Sequence, residues 1–306
     1  MLGVAYDRLG KLNKAVEFIE QGLSLSRQAN DFGWESTLLS NLAGSYASMG
    51  RYEEAVDLYE KALEINLDKL SKKENSTVLI GLALAKADLG KTSEAIELYN
   101  KALNSSRKDN ENITTEAYCM ENLGDAFLDL GELDQASSCY LQAIRIAEEI
   151  HFIETQNYAR WGLSQVCLLR NDLDTAYNTI IDAQKYDVPL NNHNISTLEG
   201  ITALRQGRLQ IAANAFHRAI DQADSIISYT PEYFDALDAK GFSLCGLAVL
   251  EDKINIDYAK DTFLRARKIT CAEGIIKRNL RIFDELVKTD AENVLLGIRH
   301  VVEGKV

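Results

Sequence analysis

Leu39-Ser40-Asn41-Leu42-Ala43-Gly44-Ser45-Tyr46-Ala47-Ser48-Met49-Gly50-Arg51-Tyr52-Glu53-Glu54-Ala55-Val56-Asp57-Leu58-Tyr59-Glu60-Lys61-Ala62 is the stretch that decides the fold. Leu39, Leu42, Ala43 and Tyr46 stand at i, i+3, i+4 and i+7, which is one apolar stripe along a helix. Gly50 is the residue type that accepts the left-handed backbone ending a helix before a tight turn. Beyond it, Ala55 and Ala62 lie two helical turns apart on one face, with Tyr59 between them. The stretch reads as a helical hairpin whose arms approach closely through small side chains.

The pattern recurs. Ala15, Ala55, Ala95, Ala136, Ala176, Ala212 and Ala259 stand in register with steps of 40, 40, 41, 40, 36 and 47 residues. Seven residues after these come Gly22, Ala62, Ala102, Ala143, Ala183, Ala219 and Ala266. Gly10, Gly50, Gly90, Gly131, Asn171 and Gly207 mark the corners, and Tyr59, Tyr99, Tyr140 and Phe216 recur at one place on the second helix. Met120, Leu123, Gly124 and Phe127 repeat the stripe of Leu39, Leu42, Ala43 and Tyr46. A fixed period near 40 indicates a stacked array, so 306 residues require no division into globular domains.

These positions resemble the tetratricopeptide repeat, most closely in the second, third and fourth units, and the likeness covers about 270 residues. The resemblance implies an all-α, right-handed α-solenoid of helical hairpins, with the first helix of each hairpin lining a concave groove. The family's consensus unit has about 34 residues, so units near 40 should carry helices longer by about one turn. Such long units look like the arrays of kinesin light chains and bacterial peptide-sensing regulators. They also look like the C-terminal arrays of large signalling NTPases of the NACHT and NB-ARC type.

The expected units are 1–30, 31–71, 72–111, 112–152, 153–189, 190–228 and 229–270, followed by capping helices over 271–306. The seventh carries an insertion at Glu251–Asp257 before a second helix from Tyr258 to Lys268. The cap is expected as helices from about Glu273 to Val287 and near Glu292 to Val302, because terminal units of solenoids need a polar outer face. Leu2-Gly3-x-x-Tyr6-x-x-x-Gly10 matches only the second half of a first helix. The expectation is a C-terminal piece of a longer array, whose truncated N-terminal helix could self-associate through Leu2, Val4 and Leu9.

Composition narrows the function. Hydrophobic residues at 46% supply a core, and only Pro189 and Pro231 interrupt helices. A formal charge of −13 repels phosphate backbones, which argues against nucleic acid. No apolar run approaches the ~18 residues of a membrane helix, so the chain reads as soluble, cytoplasmic and without a membrane partner. Cys119, Cys139, Cys167, Cys245 and Cys271 are widely spaced and read as reduced thiols. Cys167 takes the core place of Tyr46, whereas Cys119 and Cys139 are expected to be partly exposed.

No catalytic constellation is legible. His151, His193, His217 and His300 stand singly, without metal-ligand spacing. No phosphate-binding glycine loop occurs, so neither a cofactor nor a metal is expected. Asn104-Ser105-Ser106, Asn112-Ile113-Thr114 and Asn194-Ile195-Ser196 fit the glycosylation pattern and are assigned to loops.

The groove implied by the resemblance can be read by register. The second unit offers Thr37, Ser40, Asn41, Gly44 and Ser48, and the third offers Thr77, Ile80, Leu84 and Asp88. The fourth offers Tyr118, Glu121, Asn122, Asp125 and Asp129, and the fifth offers Tyr158, Trp161, Gln165 and Leu168. Exposed aromatics beside carboxylates favour a peptide bearing Lys or Arg. The basic clamp that related repeats use for chaperone tails is replaced by Ser40, Gly44, Thr77 and Gly81. The expected function is a non-enzymatic scaffold for a protein or peptide, as the C-terminal sensor of a larger signalling protein. The alternatives are a free-standing adaptor or peptide-responsive regulator and, more remotely, an enzyme with an unrecognised site.

Overall fold

The computed structural model describes residues 12–68, 75–108, 113–251, 253 and 255–305. Among the described residues there are fifteen α-helices and no strand. They are α1 Leu12–Gln28, α2 Phe32–Ser48, α3 Tyr52–Asp68, α4 Ser76–Asp88, α5 Thr92–Lys108, α6 Ile113–Leu130, α7 Leu133–Glu149 and α8 Ile153–Leu169. The rest are α9 Leu173–Ala183, α10 Asn192–Arg205, α11 Leu209–Tyr229, α12 Phe234–Leu250, α13 Asn255–Ile269, α14 Glu273–Val287 and α15 Arg299–Val302. Among these helices none is long and apolar enough to cross a membrane.

From α2 to α13 each even-numbered helix packs on the odd-numbered helix that follows it, and each odd helix on the next even one. The even helices α2, α4, α6, α8, α10 and α12 also touch one another in sequence. The core follows this order in three successive clusters, Ile19 to Ala85, Leu79 to Val166, and Cys167 to Val302. Contacts that pass from neighbour to neighbour, without a shared centre, define an α-solenoid.

The corners behave as their residues require. Gly50, Gly90, Gly131 and Gly207 have φ between 73° and 82°, and Asn171 has φ 60°. At the first of them the Gly50 amide donates to Ala47 O at 2.9 Å and the Arg51 amide to Tyr46 O at 2.9 Å, closing the end of α2. Ala55, Ala95, Ala136, Ala176, Ala212 and Ala259 are fully buried at the hairpin contacts.

The recurring aromatic works as a wedge. Tyr140 on α7 enters between α6 and α8, where a Cβ on Gly124 would lie 2.6 Å from its ring and one on Gly162 2.3 Å. Phe216 on α11 is seated in the same way between Gly200 and Gly246. Glycine is therefore required on the first helices by the ring behind them, and Gly81 meets Tyr59 likewise.

Several expectations are corrected. Helix α13 begins at Asn255, three residues before the expected Tyr258. A helix over 292–302 contracts to the four residues of α15. The physical reason is that the Asp290 carboxylate accepts from the amides of Val294 (2.8 Å) and Leu295 (2.7 Å), while Asn293 is left-handed at φ 57°. Asn104–Ser106 lies in α5 and Asn194–Ser196 in α10, not in loops; Asn112 lies outside the described residues. Cys119 and Cys139 are buried in the middle core cluster instead of partly exposed. The N-terminal residues Leu2, Val4 and Leu9, and with them the self-association surface, lie outside the described residues.

The C-terminal segment leaves the stacking order. Helix α15 packs on α13 and α14, but α14 touches α4, α6, α10 and α12, all of them first helices of hairpins. It runs across the face that these first helices form.

Candidate functional site

A cavity of about 420 Å³ lies where α14 crosses the first helices. Its wall is built one turn at a time: Leu84 and Asp88 on α4, Asp125 and Asp129 on α6, and Tyr158, Trp161 and Gln165 on α8. Asn194 and Leu198 on α10, and Asp235, Asp238 and Phe242 on α12, continue it. The i, i+3, i+4 and i+7 spacings put each set on one face of its helix. Ile275, Arg278, Asn279, Arg281 and Ile282 of α14 close the opposite side.

Of the nine residues of the fourth and fifth units read from the sequence as the groove, five line this cavity: Asp125, Asp129, Tyr158, Trp161 and Gln165. They are joined by Leu84 and Asp88 of the third unit, whereas Leu168 is buried away from it. Tyr118, Glu121 and Asn122 do not line it either. Glu121 and Asn122 are buried, Asn122 donates its amide to Tyr118 O at 2.7 Å, and Tyr118 is half-buried. Burial, reinforced by the nearby Asp125 charge, pushes the Glu121 carboxyl well above the usual range. The aromatics Tyr158 and Trp161 are half-buried where exposed ones were expected.

The remaining carboxylates have distinct partners. Asp129, 3% exposed, faces two guanidinium groups. Arg278 Nε approaches its Oδ2 at 2.8 Å and Arg281 Nη1 its Oδ1 at 3.0 Å. Burial alone would raise Asp129, but these two cations outweigh it and hold the carboxyl below its ordinary value. Arg278 Nη1 also donates to Asp88 Oδ1 at 2.7 Å, so one guanidinium bridges α4 and α6. Asp125 instead accepts the Tyr140 hydroxyl at 2.5 Å, and burial pushes its pKa up to about 6. Asp235 Oδ2 lies 3.0 Å from His193 Nε2 and takes the Asn194 amide at 2.8 Å. Asp238 is ion-paired with Arg267 and accepts from Asn279 at 2.7 Å.

Asp235, Asp238 and the arginines of α14 were not legible as groove residues. The only sequence signal was the surplus of carboxylates on first helices, which calls for cations from elsewhere in the chain. Among the described residues no group of three or more His, Cys, Asp or Glu converges as a metal site.

Residues 34–108 match one family model described as tetratricopeptide repeat, and residues 1–28 and 117–150 match a second of the same description. The chain carries tetratricopeptide repeats over these residues. No functionally curated protein matches this tetratricopeptide chain significantly. Among solved structures it resembles the Rap conjugation gene regulator of plasmid pLS20 in complex with a Phr peptide. The two share 15% identity and a TM-score of 0.71, over 92% of this chain and 76% of that one. A Rap protein complexed with competence and sporulation factor gives 13% identity and a TM-score of 0.70, over 94% and 79% of the two chains. BtubC from P. vanneervenii gives 19% and 0.57, over 70% and 92%. At these identities the likeness establishes the tetratricopeptide solenoid and nothing about ligands.

Proposed function

We propose that this tetratricopeptide chain is a non-enzymatic scaffold that holds a protein or peptide segment bearing Lys or Arg against its first helices. The observation that carries the reading is that this face already recognises guanidinium groups: Arg278 and Arg281 sit on Asp88 and Asp129. Half-buried Tyr158 and Trp161 beside Asp125 add the aromatic surface on which such groups stack. A Phr* peptide accompanies one of the solved Rap proteins that share the fold over more than 90% of this chain, and competence and sporulation factor accompanies another, which favours a peptide-responsive regulator over a passive adaptor. We read the scaffold as the array 1–270 with 271–306 closing it, in the setting of a signalling protein.

The test is a screen of decapeptide libraries, one rich in Lys and Arg and one rich in Asp and Glu, against the full chain at low salt. Basic binders are expected, and they should weaken about tenfold on Asp125→Asn or Trp161→Ala, the loss typical of an interface anchor. Equal capture of acidic and basic peptides, or binding indifferent to both substitutions, would count against the groove.

A further inference from the structure

Helix α14 makes two kinds of contact. Its C-terminal half is buried with the last units, where Phe283 and Leu286 join the cluster of Phe242 and Phe263. Gly274, Arg278 and Arg281 sit on units far away in the chain, while Asn279 among them donates to Asp238 on α12 at 2.7 Å. A Cβ on Gly274 would fall 2.1 Å from the Ala87 carbonyl oxygen and 2.7 Å from that of Asp88, so the helix backbone rests directly on the end of α4. One turn on, Arg278 reaches Asp88 and Asp129, and three residues later Arg281 reaches Asp129 and the Leu128 carbonyl. Apart from Ile275, this seat is made of backbone contact and charge, which salt and competing cations weaken.

We propose that the face of α4 and α6 beneath α14 is a docking surface for an amphipathic helix with arginine at i and i+3 and glycine one turn earlier, and that α14 is its resident occupant. This rests on the groove reading above and narrows its partner from any basic peptide to a helical one. While α14 is seated it holds the third and fourth units against the last two, and a competing helix releases them. Asp129 is the key receptor: it is buried, takes both guanidinium groups, and is left uncompensated when α14 departs unless an incoming helix replaces them.

The test titrates a labelled peptide of residues 271–290, with Cys271→Ser, into the full chain and two full-chain variants, Gly274→Val and Arg278→Ser/Arg281→Ser. Gly274→Val unseats the clasp by bulk and the double variant by charge, so one variant still reports if the other fails to fold. The expected result is at least tenfold tighter binding to both variants than to the unaltered chain, lost again when Asp129→Asn is added. A proline-containing scramble of the same charge should bind at least tenfold more weakly than the helical peptide. Equal affinity for unaltered and variant chains, no binding to any of them, or equal affinity for helix and scramble overturns the proposal. Basic decapeptides still captured in the library screen would leave the groove reading standing in each of those cases, whereas loss of that capture would remove the reading itself.

Discussion

Asp125 takes its hydrogen bond from the Tyr140 hydroxyl, whereas Asp129 one turn away takes two guanidinium groups. Its folded pKa of about 6 lies above the ~4 of an unfolded carboxyl. The folded state therefore binds this proton more tightly, and the stability it contributes is present below pH ~4 and lost as pH rises through about 6. Asp125→Asn should flatten the decline between pH 4 and 7 by on the order of 2 kcal/mol, read by urea unfolding at each pH; an unchanged slope would exclude Asp125 as the source. Basic-peptide binding should run the other way, failing as pH drops below about 6, because the receptor must be charged. Packing makes a separate prediction at Gly162, where Gly162→Ala forces the Tyr140 ring aside and should cost about 1–3 kcal/mol. Tyr140→Leu should recover part of that loss in the double variant, and strictly additive losses would show that the ring is not the obstacle.

The hairpin corners isolate a backbone effect at the scale of the element. Gly131 is left-handed at φ 79°, and an added Cβ there would meet nothing within 4 Å. Gly131→Ala should therefore cost about 1 kcal/mol through conformation alone, and Asn171→Gly, at φ 60°, should be close to neutral, because the relief of the left-handed backbone is offset by loss of the side-chain oxygen that accepts from Arg205. Thermal unfolding checks both, and a neutral Gly131→Ala would contradict the left-handed corner. The corners, the alanine contacts and the aromatic wedges were legible because each is dictated by residues within one hairpin or its neighbour. The seat of α14 was not, since Arg278 stands 190 residues from Asp88 and 149 from Asp129. Tyr118, Glu121 and Asn122 were misplaced for a more local reason: the long first helices bury a wider face than one stripe, and register alone does not say where burial ends. The turn after α14 escaped notice because Asp290 caps amides that an apolar pattern alone assigns to a helix.

The whole molecule is a stack of hairpins whose third and fourth units are tied to its last units by α14. Five successive first helices, α4 to α12, share one cavity with α14, and the formal charge of −13 gives the array a negative field, which would favour the cationic partner proposed above. Binding should weaken as ionic strength rises, and most steeply for peptides that reach the paired carboxylates on α4 and α6. The most direct measurement is hydrogen–deuterium exchange on the full chain, with and without the tightest Lys/Arg decapeptide from the library. Added protection is expected on α6, α8 and α12, together with faster exchange in the N-terminal half of α14. Protection confined to the second helices α7, α9 and α11, or an unaltered α14 beneath a bound peptide, would contradict a groove on the first helices that α14 closes.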